Sequence, residues 1–365
     1  LSEIRLLAGY ALPYRRQVLA LKNFFARHDC TVLLLDDLTE PMSDVNLHSL
    51  AHGVVRLEHL AVEYGMERRR LRVHKMRGRA FRGGYHDFVI HRGGLRIFPR
   101  LVVNATRAEN IEPADTVPVT SGIAELDALV GGGLDRGTVT LLQGPAGSGK
   151  SSLAMQFLSS AIDRGERGLV LSFDETLTNF TRRMSGMAIP VARYIEQEKL
   201  IFRTVDPAEL SPGEFASIID GHVAEGVTAI SIDSLSGYQH AMPHETHLLL
   251  QMHELLSHLN ELGVITFLTI GQSGIIGTMR SPIDISYLAD TVLLLRFFEA
   301  EGMIRRAISV VKKRTGDHER SIRELMFDQR GVQIGPRLDG FEGLLTGTPI
   351  RRRTAGQPTL LEARQ

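Results

Sequence analysis

The segment whose residue types specify chemistry most directly is GPAGSGKS, residues 144–151. Its glycines let consecutive backbone N–H groups turn inward around phosphate oxygens, and the segment then enters a helix whose N-terminus favours anions. The pattern GxxxxGK[ST] assigns Lys150 to the β- and γ-phosphates of a nucleotide and the Ser151 hydroxyl to Mg²⁺. A plain glycine turn is the alternative. The predicted phosphate loop consists of Gly144, Pro145, Ala146, Gly147, Ser148, Gly149, Lys150 and Ser151.

A carboxylate that could share the magnesium ion is Asp233, which ends the apolar run 229–232. Ligands of open α/β sheets bind at the carboxyl ends of the strands. Carboxylate oxygens are ordinary magnesium ligands, often through water. We therefore predict that Asp233 belongs to the magnesium site, with a simple helix N-cap as the alternative.

Two adjacent acids, Asp174 and Glu175, follow the apolar strand-like run 169–173. Hydrolysis of ATP needs a group that orients or deprotonates the attacking water. Carboxylates that leave a strand beside the phosphate loop could do this, and we favour Glu175 because its side chain is longer. An exposed acidic loop is the alternative interpretation.

Two basic pairs have the spacing K-x-R: Lys312 with Arg314, and Lys75 with Arg77. Side chains two apart on a strand share one face, so both members of a pair could point at one phosphate. In ring ATPases such cations often come from a neighbouring subunit and offset transition-state charge. A solvated strand edge, where Lys is common, is the alternative. The recurrence of the pair favours the functional interpretation.

Two further clusters favour less specific interpretations. The basic stretch 68–79 lacks interleaved aromatic residues, so we prefer a subunit or nucleotide contact to a nucleic-acid surface. A group of histidines has no acidic cluster beside it, which favours solvated helix positions over a metal site. These histidines are His240, His244, His247, His253 and His258.

An internal repeat organises the chain. GMERRRLRVHKMR, which starts at Gly65, aligns with GMIRRAISVVKKR, which starts at Gly302. The segments that start at Tyr85 and Ile322 align at the same offset. Such self-similarity predicts two copies of one structural unit.

The repeat register also predicts where the first copy begins. Continued backwards, it places Leu1 over Leu235, just after the position of Asp233. We therefore expect residues 1–107 to form the C-terminal half of a first domain that is truncated and has no phosphate loop of its own. The run 33–37 resembles a strand that ends in a magnesium ligand, but the register places it over 267–271, the next strand along.

Short apolar runs alternate with helical patterns from residue 116 onward. The predicted strands are 138–143, 168–174, 200–206, 228–233, 264–270 and 291–297, with helices at 151–162 and 245–262. Apolar strands that alternate with helices predict a mostly parallel sheet covered on both faces. The segments 305–314 and 322–334 read as hairpin strands. The predicted fold class is α/β.

Composition narrows the classes of protein. The 42 basic and 42 acidic residues cancel, so bulk charge does not favour nucleic-acid binding. A single cysteine, Cys30, excludes an intramolecular disulfide. No apolar run approaches the ~20 residues of a membrane helix, and we expect a cytoplasmic protein.

Besides residues 1–107, we predict a linker at 108–118, a complete domain at 119–340 and a flexible tail at 341–365.

The combination of TSGIAELDALVGGGLDRGTVTLLQGPAGSGKS, SFDE, ISIDSLSG and the K-x-R element resembles the RecA superfamily and, more closely, the KaiC family of ATPases. The resemblance implies tandem RecA-like P-loop domains in a homohexamer, with ATP between subunits. It implies that Lys150 and Ser151 bind phosphate and magnesium, with Asp233 as the magnesium-site acid. The catalytic acidic pair would be Asp174 and Glu175, and the trans-acting cations Lys312, Arg314, Lys75 and Arg77.

The resemblance also bears on autophosphorylation. Clock members of the family phosphorylate an adjacent Ser-Thr pair, and here Ser286 matches the serine, whereas Tyr287 takes the threonine position. Thr315 follows Arg314 where the family has glycine. We expect ATP and Mg²⁺ as cofactors of a regulatory ATPase, with possible serine/threonine autokinase activity at Ser286. The alternatives are a recombinase-like DNA-binding ATPase, with 272–282 lining its channel, and a nucleotide-gated scaffold.

Overall fold

The computed structural model describes residues 10–36, 45–61, 65–102, 117–206, 208–240, 248–272, 286–344 and 350–351. Most of the expected linker and tail lies outside these residues. The chain divides into two compact units: unit 1 comprises residues 1–60 and 69–100, and unit 2 comprises residues 61–68 and 101–365.

The described residues of unit 1 form two helices and a four-stranded sheet with the strands in chain order. The helices are α1 (Ala11–Ala26) and α2 (Val45–Leu50). The strands are β1 (Gly53–Leu60), β2 (Arg68–Met76), β3 (Tyr85–His91) and β4 (Gly94–Phe98). The chain reverses between β3 and β4 through Gly93 and Gly94, whose φ angles of 120° and 130° suit glycine.

The strand predicted at 33–37 is wrong for its described residues, 33–36. Residues 30–36 adopt no regular secondary structure, and the side chains of Leu33 and Leu35 are 85% and 81% exposed. A strand is stable only when a neighbour satisfies its backbone N–H and C=O groups. No strand of the described part of unit 1 pairs with this segment.

Unit 2 alternates helices and strands along the chain. Its helices are α3 (Ala124–Leu129), α4 (Lys150–Asp163), α5 (Leu177–Ser185), α6 (Val191–Glu196), α7 (Pro212–Ala224), α8 (Leu235–His240) and α9 (Leu248–Glu261). Its longer strands are β5 (Val139–Gly144), β6 (Arg167–Ser172), β7 (Leu200–Thr204), β8 (Val227–Asp233), β9 (Ile265–Gly271), β10 (Thr291–Ala300), β11 (Met303–Lys313), β12 (Arg323–Asp328) and β13 (Gly331–Arg337). A short pair follows, β14 (Phe341–Glu342) and β15 (Ile350–Arg351).

The large sheet of unit 2 has the strand order β13-β12-β11-β10-β5-β9-β8-β6-β7. From β10 to β7 the neighbouring strands pair in parallel, and from β10 to β13 they pair antiparallel. Parallel strands need crossover connections, which the helices provide. The predicted α/β class, the mostly parallel sheet and the C-terminal hairpin strands are confirmed.

Two apolar clusters cover the two faces of this sheet. Leu142 and Phe267 face one cluster with α4, whereas Leu141 and Leu268 face the other with α9. Successive residues of a strand point to opposite faces, so a strand buried on both sides must be apolar throughout. This is the reason that the parallel strands could be found in the sequence as continuous apolar runs. No helix among the described residues has both the length and the apolar character to cross a lipid bilayer.

Candidate functional site

The phosphate loop connects the end of β5, an interior strand of the large sheet, to the start of α4. Gly147 and Gly149 have φ angles of 75° and 103°, in the left-handed region that favours glycine. Helix α4 begins at Lys150, so its unpaired N–H groups and the positive end of its dipole face the loop. The local geometry is that of an anion-binding site.

Lys150 lies back on its own loop. Its Nζ donates hydrogen bonds to the carbonyl oxygens of Gly144, at 2.9 Å, and Pro145, at 2.8 Å. Burial lowers the pKa of the Lys150 ammonium, and the carboxylate of Asp233 partly opposes that effect. The hydroxyl of Ser148 is buried and has no hydrogen-bond partner. A half-buried cation and an orphaned buried hydroxyl at a helix N-terminus fit an anionic ligand.

The antiparallel part of the sheet packs directly on the loop. The Phe327 ring lies against Gly149, and a Cβ atom there would overlap it. The guanidinium of Arg306 lies 5.5 Å from the ring centroids of both Phe297 and Phe327, and its Nε donates to the Gly147 carbonyl. The sequence carried no signal for these three side chains, because only tertiary packing brings β10, β11 and β12 to the loop.

Asp233 lies at the end of β8 and accepts a hydrogen bond from Oγ1 of Thr269, at 2.5 Å on Oδ1. The capping role falls to the next residue, since Ser234 Oγ accepts from the Gly237 N–H at the start of α8. The geometry therefore favours a site role for Asp233 over the helix-cap alternative. Thr269 is a polar residue near the end of the mostly apolar run 264–270, which is the signal that could have identified it.

The acidic pair follows β6, and its two side chains have different partners. Asp174 accepts a hydrogen bond from Ser234 Oγ at 3.2 Å, which links it to the end of β8. Glu175 forms an ion pair with Arg183 of α5, at 2.5 Å between Oε2 and Nη2. Asp174 is exposed and Glu175 is half-buried, and each has a side-chain partner. The Arg183 contact was not foreseen from the sequence.

The cations of β11 and the residue after it contact the segment just before β10. Lys312 Nζ donates to the carbonyls of Ser286 and Ala289, both at 2.7 Å. Arg314 donates to the Tyr287 carbonyl and to the Asp290 carboxylate. The two side chains therefore contact the same segment, 286–290.

This cluster lies at the opposite end of β5 from the phosphate loop. The Asp290 carboxylate accepts from the N–H of Val139, the first residue of β5, whereas the loop follows its last residue, Gly144. Strands rise about 3.3 Å per residue, so the two ends are about 17 Å apart. Within one chain, the structure does not bring Lys312 and Arg314 to the loop.

The first K-x-R pair makes similar contacts in unit 1. Lys75 Nζ donates to the His48 carbonyl at 2.7 Å, and Arg77 Nη2 donates to the Ser49 carbonyl at 2.9 Å. Loss of solvent around Lys75, together with the charge of Arg77, lowers the pKa of the Lys75 ammonium. Both K-x-R pairs thus bind main-chain oxygens shortly before a strand, which is β1 in unit 1 and β10 in unit 2.

Other sequence predictions fall partly outside the described residues. Residues 273–282 of the suggested DNA channel lie outside them, as do His244 and His247. His258 contacts Asp220, at 2.9 Å between Nε2 and Oδ1. In the part of the chain that the structure describes, no group of three or more His, Cys, Asp or Glu side chains could hold a metal ion.

The sheet order, the loop at the end of β5 and the acids at the ends of β6 and β8 define a P-loop ATPase with a RecA-like fold. The family model described as "ATPase: KaiC" matches residues 8–102 and 119–339. This is most of the chain, and the chain therefore belongs to the KaiC family of ATPases.

Three curated relatives illustrate the similarity. The chain is 28% identical over 286 residues to the circadian clock oscillator protein KaiC of Thermostichus vulcanus, covering 78% of this chain and 54% of that protein. It is 26% identical over 325 residues to the protein of the same name from Acaryochloris marina, covering 88% and 61%. It is 27% identical over 287 residues to the circadian clock protein KaiC3 of Synechocystis sp., covering 78% and 55%. The chain spans little more than half the length of these relatives.

Proposed function

We propose that unit 2 binds ATP together with magnesium and hydrolyses it, and that the chain acts as an ATP-responsive regulatory protein. The observation that carries this proposal is the half-buried Lys150, whose ammonium rests on its own loop carbonyls, together with the orphaned Ser148 hydroxyl of the same loop. A triphosphate would give the Ser148 hydroxyl an acceptor and would give the Lys150 ammonium an anionic partner in place of neutral carbonyls.

The surrounding residues have complementary roles in this proposal. Ser151 and Asp233 would hold the magnesium ion, which when bound offsets phosphate charge. Thr269 fixes the Asp233 carboxylate by its hydrogen bond. Glu175 would accept the proton of the attacking water, and Ser234 orients Asp174 beside it.

The direct test is ATP turnover by the purified chain and by Lys150→Ala. The wild-type chain should hydrolyse ATP, and the variant should lose about 100-fold or more, since it lacks a cation aimed at the phosphates. Calorimetric titration with magnesium and ATP should give binding heat for the wild type only. Equal turnover, or equal binding heat, in the two chains would refute the site.

The proposal includes a ring, a homohexamer as the family resemblance implies, with ATP between subunits. Lys312 and Arg314 lie about 17 Å from the loop of their own chain, at the other end of β5. This edge of the sheet would face the phosphate loop of a neighbouring chain. Lys312 and Arg314 would then contact the phosphates bound by that neighbour. Similarly, Lys75 and Arg77 would serve a first ring.

Mixing two inactive variants tests this arrangement. One carries Lys150→Ala and the other carries Lys312→Ala with Arg314→Ala, so each retains the half of the site that the other lacks. An assembly of both should recover part of the wild-type turnover, because some interfaces combine two intact halves. If the cations act within their own chain, the mixture stays as inactive as its components.

The tandem organisation also remains a proposal, with residues 1–107 as part of a first KaiC-type domain. Two observations support it: the family model matches 8–102 as well as 119–339, and β1–β4 have the same neighbour order as β10–β13.

A second activity, autophosphorylation at Ser286, is supported by one contact. Lys312 binds the Ser286 carbonyl, so the serine shares a sheet edge with the cations proposed to reach a neighbour's ATP. Incubation with ATP labelled at the γ-phosphate should label the wild-type chain but not Ser286→Ala. Equal label in both chains would place the phosphate elsewhere.

A further inference from the structure

The ion pair between Arg183 and Glu175 occupies the carboxylate that is proposed to activate water. Arg183 Nη2 donates to Oε2 at 2.5 Å, and Nε donates to Oε1 at 3.2 Å. Both carboxylate oxygens are thus engaged by one planar guanidinium. Two-point pairing of this kind is stronger and more directional than a single contact.

Two further contacts hold Arg183 in place. Its Nη1 donates to the Ser152 hydroxyl at 2.9 Å, and its guanidinium carbon lies 5.4 Å from the centroid of the Phe180 ring. Ser152 is buried in the first turn of α4, directly after Ser151 of the phosphate loop. Arg183 is therefore anchored to the helix that leaves the loop, and it does not follow Glu175 if that side chain turns away.

The backbone of Glu175 is fixed separately. Its N–H donates to the Ser172 hydroxyl at the end of β6, at 3.1 Å. The position of the residue beside the site therefore does not depend on Arg183. What Arg183 controls is the direction of the carboxylate and how much of its charge is available to a water molecule.

The geometry points to Arg183 as a positioning residue that restrains Glu175 and so slows ATP hydrolysis. When both oxygens of a carboxylate accept hydrogen bonds from one guanidinium, fewer of its lone pairs are free to take a proton from water. To act as base, Glu175 must first give up part of this pairing. The inference rests on the proposed role of Glu175, and its test separates the two.

The test compares steady-state ATP hydrolysis by four chains: wild type, Arg183→Gln, Glu175→Gln and the double variant. Release of the restraint should raise the kcat of Arg183→Gln about fivefold while its KM for ATP stays within about twofold. The double variant should be as slow as Glu175→Gln, because Arg183 acts through that carboxylate. Arg183→Lys, which retains the charge without the planar fork, should lie between wild type and Arg183→Gln.

Arg182→Gln is the matched control, because it removes an exposed charge from the same helix and should leave kcat unchanged. Calorimetric affinity for magnesium with ATP checks that Arg183→Gln is folded. Unchanged or lower kcat in that variant, with Glu175→Gln inactive, overturns the restraint alone. Full turnover by Glu175→Gln overturns the base assignment, and the restraint with it.

Discussion

The sheet of unit 1 and the antiparallel part of the unit 2 sheet have the same strand order. The strands β1–β4 are neighbours in chain order, as are β10–β13, and they correspond in the register that aligns Gly65 with Gly302. In both sheets the K-x-R cations bind main-chain carbonyls just before the first strand. Every residue has a carbonyl, so this contact tolerates divergence of the side chains around it.

The two sheets differ in what borders their first strand. Strand β10 pairs in parallel with β5 and thereby joins the parallel strands, whereas β1 has β2 as its only neighbour among the described residues. Unit 2 accordingly buries two large apolar clusters, while Ile90 and Leu95 of unit 1 are exposed. The K-x-R contact thus belongs to the antiparallel sheet, and the nucleotide site belongs to the parallel strands.

Replacing the two K-x-R pairs separately gives the largest expected contrast. Lys312→Ala with Arg314→Ala should lower ATP turnover by about 1,000-fold, because those cations would offset transition-state charge at a neighbour's site. Lys75→Ala with Arg77→Ala should change turnover at the unit 2 site by less than about twofold, because these cations are assigned to the proposed first ring and the described part of unit 1 contains no phosphate loop. Equal losses in the two variants would show that both pairs serve one site.

Gly149→Ala tests the packing of the antiparallel sheet on the loop. The added Cβ would overlap the Phe327 ring and would also strain a left-handed backbone, so turnover should fall by about 100-fold. Gly165→Ala is the matched control, since its φ is 100° but the position has open space around it. Gly165→Ala should lower the free energy of unfolding measured in urea, without lowering ATP turnover. A similar turnover loss in both variants would mean that backbone strain, not Phe327, is responsible.

The Asp290 carboxylate has no counterpart in the sheet of unit 1, where the corresponding residue is Gly53. Asp290→Ala tests what that carboxylate contributes. The change leaves the Val139 N–H without its acceptor and Arg314 without its ion pair, and should cost about 2 kcal/mol of unfolding free energy. Asp290→Asn retains an acceptor oxygen and should cost about half as much. Urea unfolding measures both, and equal costs would locate the whole effect in the lost charge.

Glu319 is a second carboxylate of unit 2 without a counterpart in unit 1. The corresponding residue in unit 1 is a cation, Arg82. Hydrogen bonds from Arg323, with smaller contributions from Arg337, lower the pKa of Glu319 from its ordinary 4.5 to about 2. The folded state therefore gains stability above pH 4.5 and loses it as the pH falls towards 2. Glu319→Gln should cost about 1 kcal/mol at pH 7, because solvent screens the network. That difference should shrink when unfolding is measured at pH 3.5, and a constant difference would contradict the shifted pKa.

The parallel half of the fold could be predicted from the sequence because its strands are buried on both faces. The predicted helix at 151–162 is one residue shorter than α4 at each end, and the predicted strand at 228–233 is one residue shorter than β8 at its start. The run 33–35 shows the limit of this approach. It is as apolar as a buried strand, but strand formation requires a partner, and composition does not report whether one is present.

For the candidate site, the sequence determined the loop, Asp233 and the acidic pair, because each needs particular residue types at a strand end. It did not show that Arg183 holds Glu175, that Phe327 contacts Gly149 or that Thr269 fixes Asp233. Those contacts join residues far apart in the chain, and only the order and register of the strands bring them together. Sequence spacing specifies which groups leave one strand, whereas the tertiary structure decides which groups from other elements meet them.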